Sequence, residues 1–198
     1  MVSQEYREEF FQKFKDKIQN LNFNRVLSIW LSEYVVIPIF KQLSEYAKEH
    51  YVLPKTSPDE DLSGKLPLKN VKIADIANKN ASNPDEGKQI EVPEDWFDGV
   101  IIPVYKRNPK FHDMSRIDLL RETVRVMQSK GLLVIVAIAE IPPTENVFLN
   151  ELIKLYDLSL KNRIFNEQEL KEDMEQVNLM NLDIFRHQGL LIGMGRKP

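Results

Sequence analysis

The sequence feature that most constrains the fold is the stretch 97–139, which reads as a strand, a helix and a second strand. The runs Val100–Tyr105 and Leu132–Ala139 are apolar and lack the polar alternation of half-exposed strands. Strands of this kind are buried on both faces, which is typical of parallel sheets. Parallel strands joined by a helix require a right-handed crossover. The stretch therefore predicts an α/β protein.

The helix between these two strands has recognisable ends. Ser115 is a suitable N-cap residue, and Asp118, three residues later, resembles the partner in a capping box. Gly131 is predicted to be the left-handed residue that ends the helix. One apolar stripe is expected to face the sheet, and it consists of Ile117, Leu120, Val124 and Met127.

Composition narrows the class of protein. A chain of 198 residues is long enough for one α/β domain with a substantial core. The net charge of −3 gives no indication of nucleic acid or of an anionic membrane as a partner. The absence of cysteine excludes disulfides and thiolate chemistry and fits a reducing compartment, so we expect a cytoplasmic protein. The longest apolar run is too short to span a bilayer, and the charged N-terminus does not resemble a secretory signal.

The rest of the chain predicts further strands and helices around the central unit. Residues 3–20 have a helical apolar stripe that indicates core packing or, alternatively, a lid or dimer contact. Strands are predicted at Arg25–Trp30, His50–Pro54 and Val71–Ile76, and a loop is predicted at Lys55–Lys69. Helices are predicted at 38–47, at Val147–Leu160 and after Asn166. The chain is predicted to end in a hairpin of Leu179–His187 with Leu190–Met194. We therefore expect a doubly wound, mostly parallel Rossmann-like sheet with a C-terminal antiparallel hairpin. The whole chain, residues 1–198, is expected to form one domain, with an N-terminal helix in 1–22 and a flexible loop at 77–93.

Three segments resemble the class I S-adenosylmethionine-dependent methyltransferases. The segment RVMQSKGLLVIV (125–136) is similar to the helix-to-strand segment of that family, and FDGVI (97–101) is similar to the strand before it. Residues 164–185 resemble the family's late helix and the strand that opens its terminal hairpin. The resemblance implies a methyltransferase-like fold, and it implies S-adenosylmethionine as the cofactor of an active member.

The first half of the chain departs from the family at the cofactor site. The family's first strand ends in an acidic residue that is followed by glycines at alternate positions. Aligned on RVL (25–27), these positions hold Ser28, Trp30, Ser32 and Tyr34. Glycines at such a turn let the backbone adopt positive φ and let the cofactor approach closely. An indole and a phenol would instead fill volume that the cofactor needs.

Two further positions can be compared with the family. Lys55 stands where the family has an acidic residue that accepts hydrogen bonds from the ribose hydroxyls, and a lysine can only donate. Asp75 matches the acidic residue that the family often has after its third strand, near the adenine.

Other candidate groups give weaker indications. The three histidines His50, His112 and His187 lack metal-ligand spacing, so no metal site is expected. His112 follows the central strand and is a candidate general base, although a solvated turn is the simpler interpretation. The basic residues Lys106, Arg107 and Lys110 indicate a solvated loop or, alternatively, a contact with an anionic ligand.

The sequence favours a methyltransferase-like domain that has lost the standard S-adenosylmethionine site. We expect it to act as a non-catalytic binding or assembly module that needs no cofactor and that has a protein partner or forms a homo-oligomer. The alternative is an active S-adenosylmethionine-dependent methyltransferase with a divergent cofactor site. A third interpretation is a pocket for an unrelated small molecule at the rim of the strands.

Overall fold

The computed structural model describes residues 23–30, 47–54, 71–78, 87–103, 105–109, 111–141, 144–160, 164–187 and 189–198. The strands are β1 Phe23–Ile29, β2 Ala47–Leu53, β3 Val71–Ile73, β4 Ile76–Asn78, β5 Lys88–Ile90, β6 Phe97–Ile102, β7 Met127–Ala139, β8 Ile164–Phe165, β9 Met180–His187 and β10 Leu190–Arg196. The helices are α1 Arg116–Val126, α2 Val147–Leu160 and α3 Glu167–Gln176. The predicted helices within 3–20 and 38–46 and the predicted loop at 55–69 lie outside the described residues.

The main sheet is mixed and has the strand order β3-β2-β1-β6-β7-β10-β9, with β8 paired to the end of β7. Strands β3, β2, β1, β6 and β7 run parallel, and β10 and β9 run antiparallel at one side. The chain builds from β1 toward β3 and then returns to place β6 on the other side of β1. The predicted doubly wound, mostly parallel sheet with a C-terminal antiparallel hairpin is therefore confirmed.

Strand β7 is buried on both of its faces, as its unbroken apolar sequence predicts. Leu133 and Ile135 point into the core formed with α1 and α3, and Val134 and Val136 point into the core on the opposite face. Residues Gly99–Ile102 of β6 pair in parallel with Leu132–Ile135 of β7. These two strands hold the two layers of the core together.

Strand β1 is fixed beside β6 at the amino end of the sheet. The Asp98 carboxylate accepts hydrogen bonds from the backbone N–H groups of Asn24 at 2.5 Å and of Arg25 at 2.6 Å. The Arg25 guanidinium also lies 3.8 Å from the centre of the Trp96 ring. A charged acceptor makes such hydrogen bonds stronger than neutral ones. This contact holds the start of β1 in register with β6, where Val26 pairs with Gly99.

The start of α1 is as predicted, but its end is not. The Ser115 hydroxyl accepts from the Asp118 N–H at 3.1 Å, which confirms the N-cap. The helix ends at Val126, whose carbonyl accepts from the Trp96 N–H at 2.8 Å, and β7 begins at once. Gly131 therefore does not end the helix. It lies in β7, where a Cβ atom would meet the Gln128 carbonyl oxygen at 2.7 Å, so the tight backbone and not a left-handed φ requires glycine.

The buried face of α1 differs from the predicted apolar stripe. Leu119, Leu120, Thr123 and Val126 are buried, whereas Ile117 and Val124 are only partly buried. Thr123 can face the core because its hydroxyl donates to the Leu119 carbonyl at 2.7 Å. A pattern of apolar residues cannot identify a core position that is occupied by a polar side chain with an internal partner.

The region after β2 was predicted only in part. The predicted strand Val71–Ile76 is split, because Val71–Ile73 pairs with β2 while Ile76–Asn78 pairs antiparallel with β5. The prediction of a loop at 77–93 is wrong for the described residues that belong to β4 and β5. Ala47, predicted to end a helix, begins β2.

Two charged residues of α1 explain why β5 is ordered. The buried Glu122 carboxylate accepts from the Ile90 N–H at 3.3 Å and from Arg125 Nε at 2.9 Å. Arg125 Nη2 donates in turn to the Ile90 carbonyl at 2.9 Å. The two side chains thus satisfy the backbone at the end of β5 and attach the small sheet to α1.

Ile135→Ala should lower the free energy of unfolding by about 2–5 kcal/mol, because it removes a fully buried side chain and leaves a cavity. Ile73→Ala is the matched control, since Ile73 is 43% exposed and its truncation should cost less than about 1 kcal/mol. Denaturant melts of both variants measure the difference. Equal losses would contradict the central position of β7.

Candidate functional site

The candidate site lies at the carboxyl edge of the parallel strands. The chain reverses its direction of sheet building between β1 and β6, so the switch point of the sheet lies at the carboxyl ends of these two strands. In open α/β sheets, ligands bind at this switch point. The groups that reach it follow the strands directly: Trp30 after β1, Pro54 after β2, Tyr105 after β6 and Glu140 after β7.

Trp30 is buried at this switch point. Its backbone N–H donates to the Leu53 carbonyl at 2.9 Å, so the pairing of β1 with β2 continues one residue beyond β1. Its side chain lies inside the protein, since only 7% of the residue is exposed. The indole is therefore located at a position where the sequence comparison expects a glycine.

Ser28 lies within β1 and contacts a histidine of the next strand. It pairs with Val52 on one side and Ile101 on the other, and its hydroxyl lies 2.9 Å from His50 Nε2. Both residues are buried. Burial lowers the pKa of His50 to about 4, so the ring is neutral at neutral pH. The Ser28 hydroxyl therefore has a neutral hydrogen-bond partner inside the sheet.

Asp75 is the one remaining predicted cofactor position that the structure describes, and it lies away from Ser28 and Trp30. Asp75 follows β3, two strands from β1, and is exposed. Its Oδ1 atom accepts from the Ile76 N–H at 2.8 Å, and its carbonyl accepts from the Glu91 N–H at 2.8 Å. Ser32, Tyr34 and Lys55 lie outside the described residues. Among the described positions, only Ser28 and Trp30 come together.

His112 links the loop after β6 to the end of β2. Its Nε2 atom lies 2.9 Å from the Pro54 carbonyl oxygen and must carry the proton, because a carbonyl can only accept. The ring also packs edge-on against Phe111, with the ring centres 4.7 Å apart. These two contacts connect the loop before α1 to the end of β2.

A buried polar network that the sequence analysis missed connects three elements at this edge. The Tyr105 hydroxyl donates to Asp173 Oδ2 at 3.0 Å, and Arg116 donates to both carboxylate oxygens at 2.8 and 3.1 Å. Tyr105 also packs on the Phe165 ring, at 5.1 Å between ring centres. The network joins the loop after β6, the start of α1 and the middle of α3. Tyr105 and Asp173 are 68 residues apart, so no local pattern reveals their contact.

The charges in this network keep Tyr105 a neutral donor. Burial, and then the neighbouring Asp173 carboxylate, raise the pKa of the Tyr105 phenol far above its usual value. The hydrogen bond to Asp173 raises the pKa of Arg116, which stays charged. Tyr105 therefore acts as a neutral hydrogen-bond donor to the Asp173 carboxylate, which is also paired with Arg116.

Two residues of the predicted basic cluster, Arg107 and Lys106, already have interaction partners within the protein. Arg107 Nη2 lies 2.6 Å from each oxygen of the Glu169 carboxylate, and its guanidinium lies 5.7 Å from the centre of the Phe165 ring. Lys106 also has a partner, and Lys110 lies outside the described residues. An anion would have to compete with Glu169 for Arg107.

A cavity of about 700 Å³ opens beside this pair, between the end of β7, β8 and α2. Its lining residues are Arg107, Glu140, Lys154, Asp157, Leu158, Ile164 and Asn166. Lys154 is paired with Glu151 at 2.7 Å, and Asp157 Oδ1 is buried without a hydrogen-bond partner among the described residues. The cavity shares Glu140, Lys154 and Asp157 with a second cavity of about 370 Å³. Its size is suitable for a small molecule.

Two further properties concern only the part of the chain that the structure describes. That part contains no cluster of three or more His, Asp or Glu side chains placed to hold a metal ion. It also contains no helix of the length and apolar character needed to cross a membrane.

Comparison with solved structures identifies the fold. The CurJ carbon methyltransferase superposes with a TM-score of 0.58 at 10% identity over 96% of this chain, which spans about half (52%) of the CurJ chain. A SAM-dependent methyltransferase from Thermotoga maritima, described as a possible histamine N-methyltransferase, gives 0.57 at 14% identity over 98% of this chain and 91% of its own. The cyclase SpnF gives 0.58 at 11% identity over 94% and 80%.

The chain has the class I methyltransferase-like fold, as the sequence resemblance implies. At these identities the likeness shows the fold alone, and one neighbour is described as a cyclase. No protein-family model and no curated protein matches the sequence.

Acidification should destabilise the protein through His50. Its pKa is about 4 in the folded protein and 6.5 in the unfolded chain, so the unfolded chain takes up the proton first. This contribution is intact above pH 6.5 and is lost as the pH falls toward 4, by up to about 3 kcal/mol. Denaturant melts across this range should show a shallower pH dependence for His50→Gln than for the wild type. Equal slopes would exclude His50 as the cause.

Asp173→Ala should cost about 1–3 kcal/mol, because it leaves the buried Tyr105 hydroxyl without its acceptor. In that background, Tyr105→Phe should cost less than it does in the wild type, since it removes the unsatisfied group. A double-mutant cycle from denaturant melts measures this coupling. Strictly additive losses would contradict the network.

Proposed function

We propose that this chain is a methyltransferase-like domain that has lost the standard S-adenosylmethionine site and acts as a non-catalytic binding or assembly module. The observation that supports the proposal is the buried indole of Trp30 at the end of β1, where the sheet reverses. A cofactor in the standard pose requires backbone without large side chains at this point. The residues present at the end of β1 do not fit that requirement.

The energy of displacing the indole supports the same conclusion. A buried tryptophan covers about 150–250 Å² of surface. Returning that area to water costs roughly 4–6 kcal/mol at about 25 cal/mol per Å². This cost corresponds to roughly three to four powers of ten in a dissociation constant. A cofactor that had to displace Trp30 would therefore bind weakly at cellular concentrations.

The polar groups near the end of β1 would contribute little binding free energy to a cofactor that displaced Trp30. Ser28 stands at the aligned acidic position, but its hydroxyl is buried beside the neutral His50 ring. Asp75, the acidic residue that matches the family, lies two strands away and is hydrogen-bonded to its own following N–H. A binding site built around hydrogen bonds loses affinity when its partners are absent.

The alternative function is an active S-adenosylmethionine-dependent methyltransferase with a divergent cofactor site. The observation in its favour is the cavity of about 700 Å³ at the ends of β7 and β8, on the same edge of the sheet. A shifted cofactor or a small substrate could enter there without displacing Trp30. Under this alternative, the chain would use its fold for methyl transfer, as the names of its methyltransferase neighbours suggest.

Calorimetric titration with S-adenosylmethionine and with S-adenosylhomocysteine distinguishes the two functions. We expect dissociation constants weaker than about 1 mM for both, because of the buried indole and the missing ribose acceptor. A dissociation constant near 1 µM for either compound would reject the proposal in favour of the divergent enzyme.

A further inference from the structure

Helix α2 exposes a broad apolar face. None of its residues is buried, and it carries seven of the ten large apolar residues that are exposed in the described part of the chain. At 3.6 residues per turn these seven occupy about half of the helix circumference, together with Glu151 and Ser159. A continuous apolar face of this kind marks a contact site. We call it the outward face, and its apolar residues are Val147, Phe148, Leu149, Leu152, Leu155, Tyr156 and Leu158.

The size of the outward face matches what a stable dimer needs. The exposed fractions of its seven apolar residues add up to about four whole residues. At roughly 150–200 Å² for each large apolar side chain, this is about 600–800 Å² of surface. A standard protein interface buries about 800 Å² on each partner. Two copies of the outward face would therefore form an interface of ordinary size.

The charges of α2 disfavour a membrane surface as the partner. Helices that lie on anionic membranes are rich in lysine and arginine along their polar side. Helix α2 has one lysine, Lys154, and two acidic residues, Glu151 and Asp157. The net charge of the whole chain is −3, which is also unfavourable for an anionic surface. A protein surface is therefore the better partner for the outward face.

The outward face is complementary to itself when two copies of α2 pack antiparallel. With a two-fold axis between residues 152 and 153, the two copies of Leu152 lie side by side. At a rise of about 1.5 Å per residue, Leu155 of one copy then lies midway between Phe148 and Leu152 of the other. In the same register Leu149 lies level with Tyr156 of the other copy. The apolar side chains of the two helices would thus interdigitate.

The same register brings opposite charges together at the side of the interface. Glu151 of one copy lies level with Lys154 of the other, on the same flank of the outward face. Both side chains are well exposed, at 62% and 68%, and they pair with each other within one helix at 2.7 Å. In the dimer the two glutamates and two lysines would alternate in sign. Complementary charges of this kind select the orientation of an interface.

We propose that two copies of this chain associate through the outward faces of α2, packed antiparallel about a two-fold axis between residues 152 and 153. Two-fold pairing of one surface with itself is the commonest form of association among soluble proteins. The inference goes beyond the proposed function, because the outward face does not include the end of β1. The test of the dimer and the titration with S-adenosylmethionine can therefore fail independently.

Sedimentation velocity of the full chain tests the surface. At about 50 µM the wild type should sediment as a dimer, since we expect a dissociation constant in the micromolar range. Leu155→Asp places a charge in the centre of the outward face and should weaken dimerisation at least about tenfold. Its circular dichroism should match that of the wild type, because Leu155 is exposed. The matched control is Met180→Asp on β9, where Met180 is 49% exposed, and it should dimerise like the wild type.

Three results would overturn the proposal. One is a wild type that stays monomeric at this concentration, and another is an equal effect of Leu155→Asp and Met180→Asp. The third is a monomer that binds vesicles of anionic lipid and loses this binding with Leu155→Asp, which would assign the outward face to a membrane.

Disulfide cross-linking tests the antiparallel register and does not require a disruptive substitution, because the chain contains no cysteine of its own. In this register, Leu152→Cys faces its own copy within the about 4–7 Å between Cα atoms that a disulfide requires. Leu158→Cys lies on the same face, but its two copies are about 16 Å apart along the helix axis. Mild oxidation should cross-link Leu152→Cys several times more efficiently than Leu158→Cys. Equal yields, or no covalent dimer for Leu152→Cys, would exclude the register.

Exchanging the charges tests the pairing of Glu151 with Lys154. Glu151→Lys and Lys154→Glu each place like charges across the interface, so each variant alone should dimerise several-fold more weakly than the wild type. In a mixture of the two variants, opposite charges meet again in the mixed dimer, which should form in preference to either homodimer. The absence of this preference would contradict the antiparallel pairing.

Discussion

The pairing of β6 with β7, buried on both faces, is the constraint on which the rest of the structure depends. Gly99–Ile102 run alongside Leu132–Ile135, and β7 faces two separate cores. Parallel strands of this kind bring their carboxyl ends to one edge. The Asp98 carboxylate binds the start of β1 beside β6, and the switch point lies at the opposite ends of these two strands. Trp30, the Tyr105 network and the cavity all take their positions from this arrangement.

Local sequence patterns predicted much of the fold, because capping and apolar burial are local or periodic effects. The N-cap at Ser115 is present, and the helix predicted after Asn166 begins there, with a capping box between Asn166 and Glu169. The error at Gly131 has a different cause, since the end of α1 depends on a hydrogen bond from Trp96 that the sequence does not reveal. The Tyr105–Asp173 contact is missed for the same reason.

The candidate site could be predicted less completely than the fold. The alignment on the first strand drew attention to Ser28 and Trp30, and both lie at the end of β1. The alignment could not indicate that Ser28 would contact His50 inside the sheet. Contacts between neighbouring strands depend on the register of their pairing, which an alignment does not give. The sequence also did not reveal that none of the residues of α2 is buried. Its period predicts a helix, but only packing decides which face turns inward.

Tryptophan fluorescence tests most directly whether the buried Trp30 indole at the end of β1 excludes a cofactor. The chain has two tryptophans, so Trp96→Phe leaves Trp30 as the only indole. We expect blue-shifted emission that acrylamide quenches poorly and that saturating S-adenosylmethionine leaves unchanged. Emission typical of an indole in water, or a saturable change on adding the cofactor, would contradict this expectation.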